Sequence, residues 1–387
     1  MTPQLKEIRT FSTMTGDLLK LKDWLKQCAV TQVAMESTGV YWKPIYNLLE
    51  DEFGVIVVNA RHIKNVPGRK TDVKDAEWIA DLLKHGLVKA SFIPDRGQRE
   101  LRELVRYRRG IIQDRSALVN RIQKVLEGAN IKLSSVATNV MGVSGRAMLQ
   151  AMIEGNENPE ELAELAQGKL RDKHTDLVAA LQGLMGTHQR MLLESLLRHL
   201  DFLDGEIARL DDEVSTRMKP FEDQIERLDE IHGIGKRSSE EILAEIGTDM
   251  KRFPSAAHLA SWAKICPGNN ESAGKRKSGR TGHGNNWLRS ALVQVAWAAS
   301  RTKKTYLSAL YRRMAGRKGA KRAIIAVAHA ILVTIYTMLT DNTRYRDLGA
   351  NHFDQLNLQY VLKNAINRIE RLGFKATIEP IPVQEVS

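Results

Sequence analysis

Two aspartates in the run Lys70-Thr71-Asp72-Val73-Lys74-Asp75-Ala76 are three residues apart. On a helix that spacing puts both carboxylates on one face, where they repel unless a cation sits between them. Upstream, Gln32-Val33-Ala34-Met35-Glu36 reads as a buried strand that ends in a third carboxylate and runs into Ser37-Thr38-Gly39. A strand-end glutamate with a same-face aspartate pair is an oxygen donor set for Mg²⁺. The plainer reading is that Asp72 and Asp75 open a solvated helix, where acids suit the positive end of the dipole.

The elements that must position these groups follow from the pattern around them. Glu7 to Ser12 reads as a strand, Gly16 to Gln27 as an amphipathic helix and Val30 to Met35 as the strand leading into Glu36. Tyr41 to Glu52 reads as a helix, Gly54 to Asn59 as an apolar strand and Asp72 to His85 as a helix. Strands alternating with helices predict an α/β sheet for residues 1 to 95. From Gln98 to Arg227 the apolar residues recur at helical spacing, and a second long helical stretch runs from Leu177 to Met218. Its mixed charges fit a solvated face, and pairing as a coiled coil, within or between chains, is the expectation. Residues 131 to 175 carry no clear pattern.

A third region opens at Ile231-His232-Gly233-Ile234-Gly235-Lys236-Arg237, which leads into a helix from Ser238 to Ile246. This is the turn of a helix-hairpin-helix. Gly233 and Gly235 permit a tight turn and close approach to a phosphate, with Lys236 and Arg237 beside it. The alternative is that the glycines simply join two packed helices. Cys266 to Asn286 is Gly/Asn/Ser-rich and reads as a loop. From Ser272 to Arg289 there are five Lys/Arg and no acid, including Lys275, Arg276, Lys277 and Arg280. Arg301 to Arg322 has nine, including Lys303, Lys304, Arg312 and Arg313, again with no acid. Such runs neutralise phosphates and make binding salt-dependent.

The whole chain agrees with a polyanionic partner. Its 387 residues suffice for two or three domains, and the net charge is +12. Two cysteines, Cys28 and Cys266, make no disulfide framework and no metal cluster. The N-terminus has no basic-then-apolar signal pattern. The apolar run Ala323 to Leu339 contains His329 and reads as a buried helix rather than a span. A cytoplasmic protein with no membrane partner is expected.

The order of these motifs resembles the transposases of the insertion sequence 110 family, including its 1111 branch. The motifs are Met35 to Trp42, Lys70 to Ala76, a helical middle, Ile231 to Gly235, and Cys266-Pro267-Gly268 to Leu288-Arg289. The resemblance implies an RNase H-like domain of the RuvC type at 1–95 with an Asp-Glu-Asp-Asp metal site. It implies a helical coiled-coil region at 96–227, a mostly helical serine-containing domain at 228–345 and a tail at 346–387. The fold class is then α/β plus α, with the helix-hairpin-helix and a catalytic-serine loop in the C-terminal domain. The family's glutamate falls on Glu36, its paired aspartates on Asp72 and Asp75, and its nucleophilic serine on Ser272, with Ser278 the nearest competitor. The implied activity is RNA-guided cutting and rejoining of DNA through a covalent phosphoserine, with Mg²⁺. The implied partners are donor and target DNA, a structured bridge RNA, and a second copy in a homodimer that assembles into a tetramer. The implied active site is composite, drawing on both domains.

One departure stands out. The family's first aspartate sits on an opening strand in a Gly-Ile-Asp type sequence, and this chain starts at what reads as the third strand. The expected missing part is roughly 20 to 30 residues at ordinary strand and loop lengths. Asp17 and Asp23 fall on the first helix and do not replace it. Two rival functions stay open: a resolvase-type metal nuclease using water, in which Ser272 is only a loop serine, and a catalytically inactive nucleic-acid-binding remnant that has lost its first aspartate.

Overall fold

The computed structural model describes residues 7–37, 39–58, 72–88, 90–266, 270–272, 275–278, 281–282 and 284–375. Of residues 72–75, 270–272, 275–278 and 361 it describes the backbone. The protein is mostly helical. Its packing divides it into two units, Met1–Arg99 and Glu100–Ser387.

In the first unit, α1 (Thr15–Gln27) precedes β1 (Gln32–Glu36), α2 (Trp42–Leu49), β2 (Gly54–Val58) and α3 (Asp72–Lys84). β1 and β2 are parallel, with Glu36 the register partner of Val58. Parallel strands need a crossover, and α2 supplies it. Gly54 to Val58 is an unbroken β-branched and Gly run whose last two residues are buried, as a strand covered by helix requires. Val58, Ile79 and Leu82 form the core, with Ala34, Ile56, Trp78 and Val88 packed around them. Among the described residues the sheet has two strands.

Glu7 to Ser12 is not a strand. The segment instead lies against α1, with the Phe11 ring 5.6 Å from that of Trp24 and Arg9 at 5.1 Å over the same indole. Ile8 stays 57% exposed, so this strand-favouring residue is not buried against a sheet.

In the second unit, α4 (Arg96–Gly128) enters from the first and pairs with α9 (Thr187–Met218). Glu100 meets Arg217 at 2.9 Å, Arg108 meets Asp211 at 3.0 Å, and Arg115 meets Asp204. The reversed order makes the two helices antiparallel within one chain. Leu118, Ile122 and Leu126 share a core with Leu193, Leu197, Leu200 and Leu203. The stretch from Leu177 is two helices rather than one: α8 (His174–Leu181) stops and α9 starts after Gly183 and Gly186. Gly183 lies so near α4's end that a Cβ there would sit 2.5 Å from the Ala129 carbonyl oxygen. Residues 131 to 175 are ordered as α5 (Leu133–Val136), α6 (Val143–Ile153), α7 (Pro159–Glu164) and a 3₁₀ turn, held by Leu133, Met148, Leu149 and Leu162.

After these come α10 (Glu222–Asp229), α11 (Lys236–Ile246), α12 (Ala256–Ala263), β3 (Asn270–Ser272), β4 (Lys275–Ser278), α13 (Asn286–Arg301), α14 (Tyr306–Lys318) and α15 (Ala320–Asp341). Two further helices, α16 (His352–Leu356) and α17 (Leu358–Arg371), follow. By length and composition α15 is apolar enough to cross a membrane. Here it is the centre of a core: Ile324, Val327, Ile331, Leu332 and Ile335 are buried, and α12, α13 and α14 pack on it.

Candidate functional site

Glu36 ends β1 on the sheet face that α3 covers. Residues two apart on a strand share a face, so Glu36 is on the side of Ala34, which packs toward the Val58, Ile79 and Leu82 core. On α3, Asp72, Asp75, Ile79 and Leu82 are spaced three, four and three apart, which is one helical stripe. Its lower members, Ile79 and Leu82, pack with Val58, and Val58 is the register partner of Glu36. Glu36 and the aspartate stripe thus belong to the same strand-helix layer. Three carboxylates are hard oxygen donors and fit a divalent cation such as Mg²⁺ or Mn²⁺ in type. Among the described residues no three His, Cys, Asp or Glu side chains are gathered for a metal, and those of Asp72 and Asp75 lie outside that set.

Ser272 is on a strand. The stretch from Cys266 to Asn286 holds an antiparallel hairpin rather than an unstructured loop, with Ser272 paired to Lys275, Glu271 to Arg276 and Asn270 to Ser278. A register irregularity falls between Asn270 and Glu271. Ser272 closes β3 at the tip and Ser278 ends β4 at the open end. Lys275, Arg276 and Lys277 all lie on β4. Arg280 lies outside the described residues.

What anchors the chain after the hairpin is a network that spacing did not point to. Asn285 caps α13, its Oδ1 accepting from the backbone N–H of Trp287 and Leu288 at 3.1 and 3.2 Å. Its amide nitrogen donates to Glu245 at 2.5 Å. Glu245, near the end of α11, also accepts from both prongs of Arg106 at 2.7 and 2.8 Å. Arg102 donates to the Ala244 carbonyl at 2.9 Å. Arg109 reaches Glu241 and the Ser290 hydroxyl, each at 2.8 Å. Burial pushes the Glu241 carboxyl above its ordinary range, with Arg109 and Arg108 pulling against it. One face of α4 therefore fixes both α11 and the start of α13. The signal in the sequence was Arg108, a charge in the Leu101-Val105-Arg108-Ile112 stripe, where an apolar residue belongs.

The turn after α10 is divided in its roles. Gly233 has φ +91°, and a Cβ there would sit 2.5 Å from the Ala299 nitrogen and 2.7 Å from the Val295 oxygen. Its lack of a side chain serves packing on α13. Gly235 is exposed and caps α11 with an extended backbone. Lys236 is exposed beside it, while Arg237 is tied to Asp211. Farther on, Lys303 and Lys304 are exposed in the turn between α13 and α14. Arg312 donates to the Ser308 carbonyl of its own helix at 3.3 Å, and Arg313 lies 5.2 Å over the Phe353 ring. The basic residues thus occur in three places, α11's start, β4 and α13–α14, rather than as one continuous strip of sequence.

Comparison with known proteins matches this layout. Residues 1–131 match a family model described as "Transposase", and residues 225–312 match "Transposase IS116/IS110/IS902 family". The chain is 23% identical over 295 residues to the transposase for insertion sequence element IS1111A of Coxiella burnetii, covering 75% of this chain and 72% of that one. It is 27% identical over 305 residues to an uncharacterized 43.6 kDa protein of insertion element IS110 from Streptomyces coelicolor, covering 72% and 73%. An uncharacterized 42 kDa protein of insertion element IS900 from Mycobacterium paratuberculosis is 28% identical over 302 residues, covering 71% and 73%. The first model takes in Glu36, Asp72 and Asp75, and the second takes in the Gly233 turn and Ser272. With both ends matched in order and relatives aligned across most of the length, the chain belongs to the insertion sequence 110 family of transposases.

Proposed function

We propose that the chain is an RNA-guided DNA recombinase that cuts and rejoins strands through a phosphoserine at Ser272. Membership of the family implies transposase activity on DNA. The observation that carries the finer reading is the β3–β4 hairpin, whose register sets Ser272 across from Lys275 at the tip, with Arg276 and Lys277 following on the same strand. A serine hydroxyl is a weak nucleophile at its free pKa and needs help in the transition state. Cations next to it hold the phosphate for in-line attack and stabilise the charge on its oxygens.

In the step proposed, Ser272 Oγ forms a bond to phosphorus and one sugar O–P bond breaks. The serine proton leaves to solvent, and the departing sugar oxygen takes one up. The phosphodiester energy is kept in the Oγ–P bond, so a free sugar hydroxyl of an incoming strand can reverse the step and reseal DNA. Glu36, Asp72 and Asp75 would hold Mg²⁺, which when bound supplies positive charge to the phosphate oxygens. The donor chemistry and the shared Glu36–α3 layer support that assignment.

The rest of the reading follows the resemblance. Residues 1–95 form the RNase H-like part, 96–227 the helical spacer and 228–345 the serine-bearing part, with a helix-hairpin-helix at α10 and α11. The protein works in the cytoplasm as a homodimer that assembles to a tetramer on donor and target DNA with a structured bridge RNA. Lys236, Lys275, Lys303 and Lys304 contact phosphates.

The test is strand cutting by the full chain on DNA carrying the ends of its element, with RNA transcribed from them and Mg²⁺. Cutting that needs Ser272 supports the recombinase. Cutting that survives Ser272→Ala and leaves no protein on the DNA supports a water-using nuclease, and binding without cutting supports an inactive remnant.

A further inference from the structure

One aromatic site stands outside everything assigned above. Trp297 on α13 is 38% exposed, and its ring centroid is 5.9 Å from that of Tyr311 on α14, the planes tilted by 57°. Single exposed aromatics need no explanation. Tyr107 and Phe202 are more exposed, but they stand among the mixed charges of α4 and α9. Trp297 and Tyr311 differ in having each other, and in lying in or beside a 22-residue run without a single acid.

The charge around the pair is uncommitted. Arg301 is one turn beyond Trp297 and exposed. Lys303 and Lys304 follow in the turn, and Lys318 is two turns beyond Tyr311 on its stripe. Arg317, Lys321 and Arg322 are exposed at the α14–α15 junction. Among the described residues none of these seven cations is in an ion pair. An exposed ring backed by a second, partly buried ring and bordered by free cations is suited to nucleic acid whose bases are unpaired: cations track the backbone and a base stacks on the ring. A duplex keeps its base faces stacked inside and cannot use the rings.

We propose that Trp297 and Tyr311 form a stacking platform for an unpaired nucleobase of a single-stranded polynucleotide, whose phosphates run along Arg301, Lys303, Lys304 and Lys318. The proposal rests on the nucleic-acid reading above and adds to it a strand type and a site. Unpaired strands occur both in a structured RNA and in opened DNA, and the platform's chemistry is the same for the two.

The experiment uses the full chain with labelled 12-mers of oligo(U) and oligo(dT) and a duplex of equal length, read by fluorescence anisotropy across a salt series. Trp297→Ala should lower single-strand affinity about 5- to 150-fold, the range for losing one stacked base. Duplex affinity and the salt slope should stay as in the wild type. Trp297→Phe should keep most of the affinity, and Tyr311→Ala should give a smaller loss of the same kind. Tryptophan emission should be quenched on binding single strands in the wild type and less so in Trp297→Phe. A loss confined to oligo(U) assigns the site to RNA, and one confined to oligo(dT) assigns it to opened DNA. Unchanged single-strand affinity in Trp297→Ala, or equal losses on single strand and duplex, would overturn the platform while leaving nucleic-acid binding in place. A wild type that binds none of the three probes would overturn both.

Discussion

Arg108 and Glu240 meet at 2.8 Å with 2% and 4% of their side chains exposed, joining α4 to the second helix of the C-terminal turn. Asp211 adds a second acceptor at 3.0 Å. Removing one member of a buried pair usually costs about 3–5 kcal/mol, and the bond to Asp211 that remains puts Glu240→Ala at the lower end of that range. Glu240→Ala is therefore expected to lower the unfolding free energy by that amount. The double variant Arg108→Met, Glu240→Leu should recover most of it, because apolar side chains of similar volume need no compensation. Chemical denaturation of the three proteins checks the order. Equal stability of Glu240→Ala and wild type would mean that the pair does not lock the helices.

Gly233 and Gly235 should part company on substitution. Gly233→Ala meets both a left-handed backbone and the main chain of α13. Strain and overpacking together put its cost at about 2–5 kcal/mol. Gly235→Ala has an extended φ and open space, with the Asp229 carboxylate 3.8 Å from the new Cβ. It should unfold near the wild-type temperature while weakening any phosphate contact that needs the bare backbone. Thermal unfolding beside a binding titration separates the two roles.

The sequence made the local elements of the first unit legible because their periodicities are short and their partners near. The α3 boundaries and the β1 strand ending in Glu36 are where period and flanking residues put them. Glu7 to Ser12 misled because its Ile, Thr and Phe say only that a strand is possible, while a strand exists only with a partner ladder. The hairpin at Ser272 was hidden for a related reason: Gly, Asn and Lys have low strand propensity, and tertiary pairing overrides it. The α4 arginines and their glutamates on α11 are more than a hundred residues apart, a distance that local reading does not span. Trp297 and Tyr311 are fourteen residues apart on two different helices, so their pairing is not legible in local spacing.

Acid should loosen the first unit through Glu50. The Arg99 guanidinium, 2.6 Å away, holds this carboxyl below its ordinary value, burial opposes, and Arg96 at 3.1 Å adds to the lowering. A depressed folded-state pKa stabilises the fold at pH above the ordinary glutamate value of about 4.5. That contribution is lost as pH falls through the lower, folded value. Glu50→Gln should be less stable than wild type at neutral pH, and the two curves should converge as pH falls through the lowered, folded value. Curves that stay parallel from neutral pH through acid unfolding would contradict the assignment.

Divalent-cation binding should depend on α3. Titrating Mn²⁺ into the full chain by calorimetry should show a site that Asp72→Asn weakens and Asp72→Asn with Asp75→Asn abolishes. Glu36→Gln should weaken it too, since Glu36 shares the sheet face that α3 covers. Unchanged heats in the double variant would remove these residues from the metal site.

On the function proposed, Ser272 becomes covalently joined to DNA. The direct measurement is peptide mass spectrometry of the protein trapped on a nicked suicide substrate bearing the element's end, with its RNA and Mg²⁺ present. The account predicts one nucleotide-bearing peptide, modified at Ser272, and none in Ser272→Ala, which should still bind RNA as the wild type does. An adduct that persists in Ser272→Ala and maps to Ser278, or DNA cut with no adduct at any serine, would contradict it.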